Sequence, residues 1–156
     1  MKYLRKTTFC LIILLTFALV ACGKRGAPKP PENLAPASVR LFTASANFEG
    51  VELSWVPPGT NATGEILDNL NTFLVRRSIL KDGKVVSRDK IAEIRYDFTR
   101  GRSGLDKQLV YKDRTVKAGG VYEYRILAVN EDGQAGLPSS IVRVTFRGEG
   151  SPIEVY

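Results

Sequence analysis

The sequence predicts an all-β fold: a two-sheet sandwich of about seven strands, placed after a secretion signal and a proline-rich tether. Three observations support it. Apolar and polar residues alternate at period two in several short segments, and Asp-Gly or Pro-Gly turn signals separate them. From Val39 to Phe146 no stretch sustains a helical period. That span offers room for one core of ordinary domain size.

The N-terminus comes first. Lys2, Arg5 and Lys6 give a positive start, and an apolar run from Leu11 to Val20 follows. Its length suits a signal sequence and falls short of the roughly 20 residues needed to span a bilayer. Small residues close the segment, as a signal peptidase pocket requires. Leu19-Val20-Ala21-Cys22 resembles the four-residue lipobox of bacterial lipoproteins, in which the cysteine is acylated and the chain is cut just before it. The resemblance implies a cleaved signal over 1–21, lipidation at Cys22 and anchorage in a membrane of the cell envelope. Gly23, where an Asp would signal retention elsewhere, resembles the outer-membrane default of enterobacteria.

Cysteine usage agrees with this reading. The chain has two cysteines, and Cys10 leaves with the signal, so no internal disulfide is expected after cleavage. Acylation also removes a lone thiol that would be a liability in an oxidising compartment. Two or three acyl chains, at about 0.8 kcal/mol per buried methylene, make release negligible. No cofactor is expected beyond the acyl lipid on Cys22.

Residues 22–36 carry Pro28, Pro30, Pro31 and Pro36. This composition favours extended polyproline conformation, long enough to hold the domain ~40 Å from the lipid. Cys22-Gly23-Lys24-Arg25-Gly26 also resembles the Cys-Gly-x-x-Gly start of small proteobacterial lipoproteins, one family of which assists assembly of the lipopolysaccharide translocon. That resemblance implies an alternative role through the mature N-terminus.

The strands follow in order over 37–148. Val51-Glu52-Leu53-Ser54-Trp55 alternates and stops at Pro57-Pro58-Gly59. Phe73, Val75 and Arg77 alternate with Leu74, Arg76 and Ser78, and Asp82-Gly83 predicts a tight hairpin with Val85 and Val86 on the return. Tyr122, Tyr124, Ile126 and Ala128 share one face of a long strand. Val142, Val144 and Phe146 form the inward side of an expected last strand, leaving 149–156 as a tail.

Leu53-Ser54-Trp55-Val56-Pro57-Pro58 resembles the B strand of a fibronectin type III domain. Tyr122 to Asn130, with Gly133 and Pro138-Ser139-Ser140, resembles its F strand, FG turn and the start of G. The resemblance implies an immunoglobulin-like sandwich with Trp55 between the sheets. It also implies a tyrosine corner at Tyr122, whose hydroxyl would bond to backbone near Ala118-Gly119-Gly120. Ser87 to Lys107 departs from the family by being longer and more charged, and no Arg-Gly-Asp motif is present.

Trp55, Tyr122 and Tyr124 are expected to pack the core rather than form a ligand platform. Arg95, Arg100 and Arg102, interleaved with Tyr96 and Phe98, are a possible binding loop, although Asp97 and Asp106 dilute its charge. Asn61-Ala62-Thr63 fits a glycosylation sequon but reads better as a polar turn.

Chemistry is narrowed by what is missing. The chain has no histidine, so histidine-based metal sites and general bases are excluded, and no metal site is expected. No Gly-x-Ser-x-Gly elbow, phosphate loop or dinucleotide pattern occurs, and the carboxylates are expected on turns and strand exteriors. The formal charge is +7 from 23 basic and 16 acidic residues. Loss of the signal, with its three basic residues, leaves +4. That is mild for nucleic-acid binding. The expected function is therefore a non-enzymatic interaction module tethered in the envelope. Its expected partners are the membrane, through the lipid, and an envelope protein or cell-wall component; a cell-wall carbohydrate is an alternative ligand.

Overall fold

The computed structural model describes residues 34–96 and 107–156. Among these residues the chain forms eight strands in order: β1 (Arg40–Asn47), β2 (Gly50–Val56), β3 (Leu70–Lys81), β4 (Lys84–Arg95), β5 (Leu109–Asp113), β6 (Val121–Asn130), β7 (Val142–Thr145) and β8 (Ile153–Val155). They make two sheets, β1-β2-β5 and β4-β3-β6-β7-β8, and every neighbouring pair runs antiparallel.

Alternation decides which side chains meet. Val51, Leu53 and Trp55 point inward from β2, and Phe73 and Val75 from β3. Tyr124, Ile126 and Ala128 on β6 and Val142 and Val144 on β7 complete the buried layer. Trp55 meets Phe73 edge-on, with ring centroids 5.7 Å apart, and Phe73 meets Tyr96 in the same way at 5.8 Å. These contacts join the sheets, since Trp55 belongs to one and Phe73 to the other.

The β3–β4 hairpin turns at Asp82-Gly83, both at positive φ (51° and 73°), between the paired Lys81 and Lys84. Two positive-φ residues give the twist that matches the flanking strands. A bulge in β1 between Arg40 and Thr43 puts Leu41 at φ 50° and lets its side chain face solvent while Phe42 turns into the core.

Two sequence expectations need correction. Val142–Thr145 is not the last strand: residues of the expected tail form β8, which pairs with β7 from Val142↔Val155 to Val144↔Ile153. Three residues are too short for alternation to announce a strand. Second, Leu34–Pro36, assigned to the tether by composition, are seated on the sandwich. The Ala62 N–H donates to the Ala35 carbonyl (2.8 Å), and the Ala37 N–H donates to that of Thr60 (3.0 Å). Pro36 packs so closely on Gly136 that a Cβ there would collide with the Pro36 carbonyl. Backbone hydrogen bonds, which composition cannot report, hold this segment.

The sequon residue Asn61 is buried, and its side-chain oxygen accepts the N–H groups of Thr63 and Glu65 (both 3.0 Å) and the Thr63 hydroxyl (2.8 Å). It organises the β2–β3 loop, as a polar turn does.

Candidate functional site

Two polar arrangements stand out, one inside the sandwich and one on its surface. The inner one is centred on Asp113 at the end of β5, whose side chain is 1% exposed. One carboxylate oxygen accepts the Thr115 N–H (2.9 Å) and hydroxyl (2.7 Å). The other accepts Arg77 (2.7 Å) and the Tyr124 hydroxyl (3.0 Å) from the opposite sheet. Burial opposes ionisation of Asp113. Hydrogen bonds from Thr115, Arg77 and Tyr124 outweigh it and hold the carboxyl below its ordinary range. Tyr124 is pushed far up, first by burial and then by the neighbouring carboxylate. The Arg77 guanidinium also lies over the Tyr122 ring, 5.4 Å from its centroid.

Asp113 corrects the expectation that carboxylates occupy turns and exteriors. It sits at the last position of a strand, where sequence alone cannot tell an inward residue from a turn residue. Its four donors and its isolation from solvent suit a clasp between sheets rather than a reactive group.

The outer arrangement lies on the exposed face of the five-stranded sheet. Arg76 on β3 is directly opposite Lys90 on β4 and Arg125 on β6. Adjacent strands are about 4.8 Å apart, so three cations line up within ~10 Å across the sheet. Arg88 on β4 is opposite Ser78, one row along. Together they border a depression of about 640 Å³ whose lining also includes Ser78, Glu123, Leu127 and Pro138.

Neighbouring charges are treated differently. Glu123 takes both Arg143 Nε (3.1 Å) and the terminal nitrogen (2.6 Å), and Lys112 on the other sheet pairs with Glu49 at 2.8 Å. Lys90 is shared with Glu93 at 2.7 Å. Arg76, Arg88 and Arg125 have no ion-pair partner among the described residues. Sequence reading passed over them because each is an ordinary outward position; only the register brings them together.

The residues singled out from sequence are distributed as follows. Cys22, Leu19, Val20 and Ala21 lie outside the described residues, as do Arg100 and Arg102. Arg95 ends β4 with its side chain exposed. Trp55 and Tyr124 are fully buried and Tyr122 nearly so. The Tyr122 hydroxyl accepts the Lys117 N–H at 2.8 Å, which is the geometry of a tyrosine corner. Among the described residues no helix is long and apolar enough to cross a membrane, and no group of three His, Cys, Asp or Glu side chains is placed to hold a metal.

Both sheets, the Trp55 core and the Tyr122 corner define a class: the chain has the fibronectin type III fold, with an added strand β8. The fourth fibronectin type III domain of a human protein superposes with a TM-score of 0.50 at 14% identity, over 84% of this chain and 96% of its own. The third such domain of the human KIAA0343 protein gives 0.49 at 14% identity, over 83% and 97%. A twitchin kinase-region fragment from C. elegans matches at 23% identity with a TM-score of 0.49 over 73% of this chain, which spans 17% of that fragment's length. No family model and no curated protein matches the chain.

Proposed function

We propose that the chain is a lipid-anchored protein of the bacterial cell envelope, at the outer membrane, whose sandwich is a non-enzymatic binding module. The observation that carries the module reading is the open face of the five-stranded sheet, where Arg76, Arg88 and Arg125 are exposed and unpaired among the described residues. Like charges in register on rigid strands weaken a sheet and are well placed to hold a partner. The buried carboxylate, Asp113, is taken up by structural contacts, which agrees with recognition rather than catalysis.

The anchor is inferred from Leu19-Val20-Ala21-Cys22. Leu34–Pro36 join the sandwich beside the β2–β3 and β6–β7 loops. The anchor is tested by Cys22→Ser in cells fed a labelled fatty acid. The variant is expected to remain an uncleaved, unlabelled precursor; normal processing and labelling would remove the lipoprotein reading.

A further inference from the structure

We propose that the depression on the outer face of the β4-β3-β6 sheet is a binding site for a phosphorylated saccharide, with Arg76 and Arg125 as its phosphate ligands. The assignment rests on the binding-module reading but not on the lipid anchor, so occupancy of this face and acylation of Cys22 are scored separately.

The argument starts from charge. Lys90, Arg76 and Arg125 stand side by side on three strands, and Arg88 lies in the next row. In that next row one oxygen of Glu123 takes two nitrogens of Arg143, while Arg88 has no ion-pair partner among the described residues. Arg76 and Arg125 have no such carboxylate among the described residues either. Guanidinium groups match phosphate oxygens two at a time, and two of them on adjacent strands can grip one phosphate from both sides.

The remaining lining narrows the ligand class. A bare polyanion would meet the Glu123 carboxylate, which lies opposite Ser78 on the same outer face. A sugar presents hydroxyl donors there instead. Ser78 adds a hydroxyl, and Leu127 with Pro138 offers an apolar wall for the C–H face of a ring. At about 640 Å³ the space falls within the usual range for small-molecule sites. Phosphate at the arginines, hydroxyls at Glu123 and Ser78, and a ring face on Leu127 would use the outward-facing lining together.

The test is calorimetric titration of the purified full-length chain in detergent with glucose bisphosphate. Glucose, inorganic phosphate and phosphatidylglycerol vesicles are run in parallel. Saturable binding of glucose bisphosphate is expected, weakening as salt rises, with none for glucose. The Arg76→Gln/Arg125→Gln double variant is expected to bind at least about tenfold more weakly. Its melting temperature should equal or exceed that of the parent, because a like-charge contact is gone; this separates lost binding from lost folding. The proposal is overturned by absence of saturable binding, or by equal binding in the parent and the folded double variant. Inorganic phosphate binding as tightly as the sugar would make this a simple anion site. Vesicle capture without sugar binding would make it a lipid-facing surface. Either result overturns the saccharide assignment.

Discussion

Asp113 shows how one residue can tie two sheets together. It accepts from Arg77 on β3 and Tyr124 on β6 while its own strand belongs to the other sheet. Replacing it with Asn leaves the Arg77 charge largely buried and unpaired, and should destabilise the fold by about 3–5 kcal/mol in urea denaturation. A pH effect follows from the same contacts. The folded carboxyl titrates below its ordinary value of 3.8. Its contribution is therefore fully present above about pH 4 and is lost as pH falls through the lower folded value. Asp113→Asn should lack that part of the acid-induced loss, measured by melting temperature against pH. None of this could be read from the chain, because burial of Asp113 depends on two residues of the other sheet. The inward positions of Trp55 and Tyr124, by contrast, follow from alternation within their own strands. Trp55→Ala should cost about 3–5 kcal/mol through lost burial and a cavity. Trp55→Phe should cost less, since it keeps an aromatic ring and removes an indole N–H that has no hydrogen-bond partner among the described residues. Tyr122→Phe should cost about 1 kcal/mol for the lost Lys117 N–H bond, read as a shift in urea midpoint.

At the scale of elements, the long strands were readable and the relations between them were not. The alternation in β2, β6 and β7 and the Asp82-Gly83 turn are local signals, and each produces the expected strand or hairpin. The Lys90–Arg76–Arg125 row needs three strands in register, with a bulge between Val75 and Arg76 setting the β4 alignment. β8 was hidden for another reason. Its three residues, Ile153-Glu154-Val155, alternate for too short a stretch to mark a strand, and it is held by the β7 backbone and by Arg143. That guanidinium lies 3.8 Å from the Glu154 carboxylate and 4.8 Å from the Tyr156 ring centroid. Glu154 is directly opposite Arg143 in the ladder. Proline there deletes a donor from an edge strand. Glu154→Pro should detach β8 and uncover the β7 edge, giving a lower melting temperature and concentration-dependent association on size-exclusion chromatography. An unchanged elution and melting profile would mean that β8 contributes nothing to the sheet's integrity.

For the molecule as a whole, the sandwich has two unlike ends. The chain enters at the end carrying the β2–β3 and β6–β7 loops, while the β1–β2 and β3–β4 hairpins turn at the other. This placement has a mechanical consequence. A pull on Leu34 along the strand direction must first break the Ala35 and Ala37 bonds to the β2–β3 loop. It then meets the β1–β2 ladder lengthwise. The six register pairs from Arg40↔Val56 to Asn47↔Gly50 would share that tension in shear instead of opening one by one. A partner held on the outer face of β3 and β6 would draw against the opposite sheet, so the stress would cross the molecule through Trp55, Phe73 and the Asp113 clasp. Under such a pull the seat at Ala35 and Ala37 would yield first, taking up part of the load before it reached the first strand.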